Sequence, residues 1–205
     1  MTEIKRIIFD LDNTLINWKK EYSNGFLKTL KDFNLDYSEN DDRVVAYYES
    51  THSNYNKADL LKCFNEFTGL NVTMDFIDAW QENLGLMADE DPKVNDVLDY
   101  LNKKYELVVL TNWFKAPQEK RLETARMRQY FIEVIGGDDY KKPDPRCFKK
   151  AIGHHKPNEC LMIGDNFEED IKGALQAGLK VIYLSKEKEN GIKTIENLSE
   201  LKDIL

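Results

Sequence analysis

The spacing of apolar residues changes period twice along the chain. Residues 4–9, IKRIIF, alternate and then close on an apolar run that stops at Asp10, the signature of a strand that ends in a polar loop. From about residue 16 to 88 the spacing turns helical. Phe26, Leu27, Leu30 and Phe33 form one stripe, Leu60, Leu61, Phe64 and Phe67 a second, and Phe76, Ile77, Trp80 and Leu84 a third. Gly69 and the run Met87–Pro92 supply a stop and a turn. After Pro92 the two periods interleave. Val94, Val97, Leu98 and Leu101 mark a helix, and Leu107–Leu110 a buried strand. A charged helix over 117–129 leads to a strand at Glu133–Ile135. A helix over 145–152 precedes a strand at Cys160–Ile163, and a helix over Glu168–Gln176, stopped by Gly178, precedes a strand at Val181–Leu184.

Strands alternating with helices predict an α/β fold: a doubly wound, parallel, Rossmann-like sheet. The first strand belongs to that sheet although a helical block separates it from the rest. The expectation is a discontinuous core of residues 1–15 and 90–205, with an all-helical insertion over 16–89.

The 205 residues suffice for one packed domain with an insert, and a 41% hydrophobic share excludes wholesale disorder. Asp and Glu outnumber Lys and Arg by 37 to 29, a net charge of −8 that disfavours nucleic-acid polymers as partners. The longest apolar runs span three or four residues, far short of the ~20 needed to cross a bilayer. Asp10 interrupts the first apolar run too early for a signal peptide. Cys63, Cys147 and Cys160 are odd in number, widely separated and lack a CxxC pair, so reduced, small apolar side chains are expected. These features predict a cytoplasmic protein, monomeric or homodimeric, that engages no membrane.

Ligands of open parallel sheets bind beyond the carboxyl ends of the strands. The first strand delivers Asp10, Asp12 and Thr14 there, the second Thr111 and Asn112. The loop after the third carries Lys142, and the fourth delivers Asp165 with Asp170 five residues on. Two carboxylates ~4 Å apart repel by roughly 4 kcal/mol at an effective dielectric near 20. Lys142 offers one compensating charge, and a hard divalent cation would supply the rest. All-oxygen donors without His or Cys point to Mg²⁺ rather than zinc. Such a site suits a phosphoryl group, with one carboxylate as covalent nucleophile and another as general acid/base.

In order, FDLDNTL, LTN, KPDP and GDNFEED resemble the four motifs of the haloacid dehalogenase-like hydrolases, a superfamily of aspartate-nucleophile phosphatases. The resemblance implies that Asp10 attacks phosphorus and that Asp12 protonates the leaving oxygen and then activates water. Thr14 would hold the loop. Thr111 Oγ and the Asn112 backbone N–H would grip the phosphoryl oxygens, and Lys142 would neutralise the phosphate and Asp10. Asp165 would bind Mg²⁺ with an oxygen of Asp10 and the backbone carbonyl of Asp12, with Asp170 just behind the metal. An aspartate at position 12 favours phosphate esters over halides. The helical insertion resembles the small cap that closes over such sites, with Leu15–Trp18 and Leu86–Pro92 as hinges. The substrate expected is a small phosphomonoester, such as a nucleoside monophosphate or a sugar phosphate. A phosphosugar mutase and a non-catalytic phosphate-binding module remain alternatives.

Other residues carry less. Lys141 reads as solvated, and Glu168 and Glu169 as helix-start charges. Trp113 could stack on a substrate base or fill a hinge. Trp80 fits a core stripe, Trp18 marks the exit into the insertion, and Lys19 and Lys20 suit a solvated helix start better than a substrate contact. His52, His154 and His155 show no metal-ligand spacing.

Overall fold

The computed structural model describes residues 3–35 and 56–205. Two compact units emerge: Met1–Trp18 joined with Ala88–Leu205, and Lys19–Met87. The first is built on a six-stranded, wholly parallel sheet. Its strands are β1 (Arg6–Phe9), β2 (Glu106–Leu110), β3 (Glu133–Ile135), β4 (Cys160–Gly164), β5 (Lys180–Leu184) and β6 (Thr194–Ile195), in the order β3-β2-β1-β4-β5-β6. This is the doubly wound order, whose winding reverses beside β1 and leaves a crevice at the carboxyl ends of β1, β2 and β4.

Strand side chains alternate between faces, so one strand serves two cores. Ile7, Phe9, Leu107, Val109, Leu161 and Ile163 share a core with Val97, Leu98, Leu101, Leu122 and Leu201. Ile8, Val108, Leu110 and Met162 face the opposite way, onto Cys147, Phe148, Ala151, Ile152 and Ala174. Both faces are covered, which is why these strands read as unbroken apolar runs.

The covering helices start where the sequence offers caps. Those introduced with the second unit are α1 (Trp18–Asp32), α2 (Lys57–Thr68) and α3 (Met74–Gly85); the sheet carries α4 (Pro92–Asn102), α5 (Lys115–Thr124), α6 (Pro145–Ile152), α7 (Gly173–Gln176) and α8 (Leu201–Ile204). Asp91 and Asp144 accept from the N–H groups of Lys93 and Arg146, each ahead of a proline in the first turn. Asn56 does the same for α2, which ends at left-handed Gly69.

Three element expectations need correction. The helix expected over 117–129 ends at Thr124, because Arg126 adopts φ 55°; a 3₁₀ turn, Arg128–Tyr130, follows. The segment read as a helix over Glu168–Gln176 opens as a π-helical turn, Phe167–Lys172, and turns α-helical only at Gly173. β6 and α8 went unpredicted, being too short for a periodic signal.

The second unit folds around rings. Phe26 meets Phe64, Phe76 and Trp80 edge-on, and Phe64 stacks on Phe76 at 4.5 Å between centroids. Asn83 donates to Thr29 and Asp32 of α1. His52 lies outside the described residues, as do the side chains of Trp18, Lys19 and Lys20. Among the described residues no helix is long and apolar enough to cross a membrane.

Candidate active site

The parallel ladder extends past two strand ends to candidate site residues. Past the end of β1, Asp10 N–H donates to Ile163 O of β4, and past β2, Thr111 N–H donates to Ile135 O of β3. After β1 the chain turns sharply: Asn13 takes φ 62°, a left-handed conformation that asparagine tolerates, and its N–H donates to Ile16 O.

Lys142, fully buried, reaches Asp10 Oδ1 at 2.5 Å and Asp170 Oδ1 at 2.6 Å through Nζ. The other oxygen of Asp170 accepts from Asn166 N–H at 3.0 Å. This fit depends on Gly164, since a Cβ there would stand 2.2 Å from Asp170 Oδ2. Asn112 fixes the lysine from behind, its Oδ1 accepting from Lys142 N–H at 2.6 Å and its Nδ2 donating to Lys142 O at 3.2 Å. Gly137 gives that turn room, because a Cβ would fall 2.3 Å from Asn112 O.

Charge and burial compete throughout. Burial pushes the Asp10 carboxyl well above the usual carboxylate range; Lys142 opposes this, while Asp170 and Asp12 add to it. Burial also works against the Lys142 ammonium, but Asp10 and Asp170 prevail and hold it charged, above its ordinary range. Asp165 is raised to about 6 by burial and by Asp170. Burial raises Glu169 as well, so it is more than the solvated helix-start charge that the sequence suggested. Lys141 likewise is half-buried, against the expectation of full solvation.

One ligand oxygen from each of Asp10, Asp165 and Asp170 lies within 4.8 Å of the others. Three carboxylates against one ammonium leave a cation-deficient, all-oxygen pocket, which fits a hard divalent ion. Asp170 already uses both oxygens, so Asp10 and Asp165 are the better donors. Thr14 Oγ1 donates to Asp165 Oδ1 over a long 3.4 Å.

Asp12 stands apart from that cluster. Its Oδ1 accepts from Arg121 Nη1 at 2.5 Å and its Oδ2 from Gln118 Nε2 at 2.6 Å, both side chains from α5. Gln118 Nε2 also donates to Thr111 Oγ1 at 3.0 Å, and Trp113 N–H approaches the same oxygen at 3.4 Å. With its oxygen accepting, the Thr111 hydroxyl keeps a hydrogen to donate. Gln118 and Arg121 escaped the sequence reading. Pro117, Gln118, Arg121 and Leu122 form the buried face of α5, and a face half polar leaves no hydrophobic stripe. The i, i+3 spacing of Gln118 and Arg121 on that face was the available signal.

Two other expectations meet the structure. Trp113 is half-buried, its ring edge-on to Phe114 at 5.2 Å. His154 and His155, read as lacking ligand spacing, gather with Glu106, whose Oε2 lies 2.9 Å from His155 Nε2. That oxygen also accepts from Arg6 Nη2 at 2.6 Å, so the group is an ion-paired cluster with a cation already in place. Cys63, Cys147 and Cys160 are free, the last two buried.

The chain is 28% identical over 194 residues to pyrophosphatase PpaX of Bacillus mycoides, covering 89% of this chain and 84% of that protein. It is 24% identical over 225 residues to glyceraldehyde 3-phosphate phosphatase of Methanothermobacter thermautotrophicus, covering 98% and 100%. N-acylneuraminate-9-phosphatase of Homo sapiens matches at 27% over 228 residues, covering 96% and 88%. In fold, the HAD-hydrolase YfnB from Bacillus subtilis, solved bound to magnesium, superposes with a TM-score of 0.77 at 18% identity over 99% of both chains. The family model for haloacid dehalogenase-like hydrolases matches residues 7–184, most of the chain, and the protein therefore belongs to that family.

Proposed function

We propose that this phosphatase of the haloacid dehalogenase-like family hydrolyses a small phosphomonoester, such as a nucleoside monophosphate or a sugar phosphate, through an aspartyl-phosphate. The observation that carries the reading is that two carboxylates of one loop have different partners. Asp10 is buried against Lys142, and Asp12 is held separately by α5. Lys142 works against the burial of Asp10 and favours the ionised form that a nucleophile needs, and a bound cation would add to it. Phosphatase names among the relatives support the reaction class.

In this reading Lys142 holds one oxygen of Asp10 and leaves the other to attack phosphorus. As that Asp10–phosphorus bond forms, the bond to the leaving oxygen breaks, and Asp12 gives that oxygen its proton. Water then attacks the same phosphorus while Asp12 takes a proton from it, and cleavage of the Asp10–phosphorus link frees phosphate. Thr111 donates to a phosphoryl oxygen, as does the Asn112 backbone N–H. Asp10 and Asp165, with the Asp12 carbonyl, would hold Mg²⁺, which when bound supplies positive charge to the phosphoryl oxygens. Asp170 orients Lys142, and Thr14 steadies Asp165. The helical insertion, residues 16–89, would act as the cap.

Purified protein with Mg²⁺ should release phosphate from p-nitrophenyl phosphate, and Asp10→Asn should reduce release to background. Undiminished turnover by Asp10→Asn would falsify the nucleophile assignment.

A further inference from the structure

We propose that Gln118 and Arg121 are positioning residues for catalysis: a bracket on α5 that aims Asp12 at the leaving oxygen and ties it to the phosphate-gripping Thr111. The proposal rests on the acid–base reading of Asp12 given above.

The bracket has little freedom. Arg121 and Gln118 are both fully buried. A guanidinium can only donate, so the Gln118 oxygen must face Arg121 Nη1, 2.8 Å away. The amide nitrogen is thereby turned to Asp12 Oδ2 and Thr111 Oγ1. Each carboxylate oxygen of Asp12 thus receives its own donor, which fixes the plane of the group. A carboxylate oxygen has two lone pairs, so each retains one to carry or accept a proton.

The arrangement is costly as packing alone. Burying a guanidinium carries a desolvation penalty, and well-packed apolar residues often serve stability as well or better. Leu122 and Pro117 already give α5 an apolar footing on the core. Asp12, by contrast, needs holding. Its side chain is 23% exposed and sits on a turn, and an acid must stand within hydrogen-bond reach of the oxygen it protonates. A displacement of about 1 Å can cost roughly 100-fold in rate. The bracket supplies the missing constraint from a rigid helix.

The test uses two esters of similar size on the Mg²⁺-loaded protein. Benzyl phosphate releases an alkoxide that must be protonated, while p-nitrophenyl phosphate releases a stabilised phenolate. Gln118→Leu and Arg121→Met should each lower kcat/KM on benzyl phosphate by about 100-fold, the lower range for a lost acid, and on p-nitrophenyl phosphate by only several-fold. Arg121→Lys should recover part of the loss by restoring one charged donor. Asp12→Asn is the reference and should show the same selective loss. Equal losses on both esters in the bracket variants, with Asp12→Asn selective, would overturn the bracket alone and leave α5 a purely structural contact. Equal losses in Asp12→Asn itself would overturn the acid assignment and the bracket with it. Thermal melts confirm folding; if Arg121→Met does not fold, Gln118→Leu, which removes no buried charge, decides the matter.

Discussion

Asp165 carries a conflict between burial and charge that is measurable without substrate. Its folded-state pKa of about 6 exceeds the ordinary 3.8, so between those values the folded protein holds a proton that the unfolded chain releases. Stability then falls as pH rises through that window, and the cost is complete above about pH 6. In metal-free protein, Asp165→Asn should therefore raise the melting temperature at pH 7.5, with the gain vanishing below about pH 4. Divalent metal should reverse the order: Mg²⁺ should raise the melting temperature of the wild type by binding the folded state, and Asp165→Asn should lose that rise. Because metal and proton compete for the same oxygen, the Mg²⁺-induced rise should shrink between pH 7.5 and pH 5.5.

Lys142, Asp170 and Gly164 show how strand ends impose geometry. β4 delivers Gly164, and the turn that follows brings Asp170 back across it onto Lys142. Asn166 makes this possible by accepting from Glu168 and Glu169 N–H, which starts the π-helical turn. Gly164→Ala would drive Asp170 off its site, since the new Cβ overlaps its carboxylate. Phosphate release should then fall by about 100-fold, the usual consequence of an ångström of misplacement, while circular dichroism stays native. α5 is the element the sequence described least well. Its buried face mixes Pro117, Gln118, Arg121 and Leu122, so periodicity showed only a charged helix, and its end was set by the left-handed Arg126. Hydrophobic pattern finds helices that pack by apolar area and misses those that pack through hydrogen bonds.

Each compact unit has an apolar group of its own among the described residues. One is the aromatic group of Phe26, Phe64, Phe76 and Trp80; the other flanks the sheet. Phe64→Ala should destabilise by about 3–5 kcal/mol, as large-to-small core changes do. The loss should appear first as faster amide exchange within α1, α2 and α3, with the sheet amides protected longer. Equal acceleration throughout would mean that the cores unfold as one. The net charge of −8 acquires a local meaning here. Asp10, Asp165 and Asp170 gather at one strand-end crevice, where Lys142 and a bound cation would set the sign that an anionic substrate meets.

Local order along the chain was enough for the strand–helix alternation, the aromatic stripes and the acids placed at strand ends. Those features depend on residues within a turn or a strand of one another, and their periods survive in any compact fold that buries apolar area. The site's pairings are of another kind. Lys142 meets Asp10 across 132 positions, and Arg121 meets Asp12 across 109. Only the sheet order, with β1 between β2 and β4, brings those partners within reach. Burial then lifts the Asp10 carboxyl above its ordinary range while Asp10 and Asp170 hold Lys142 charged, because the cost of a charge depends on what surrounds it in space, and no spacing along the chain records that.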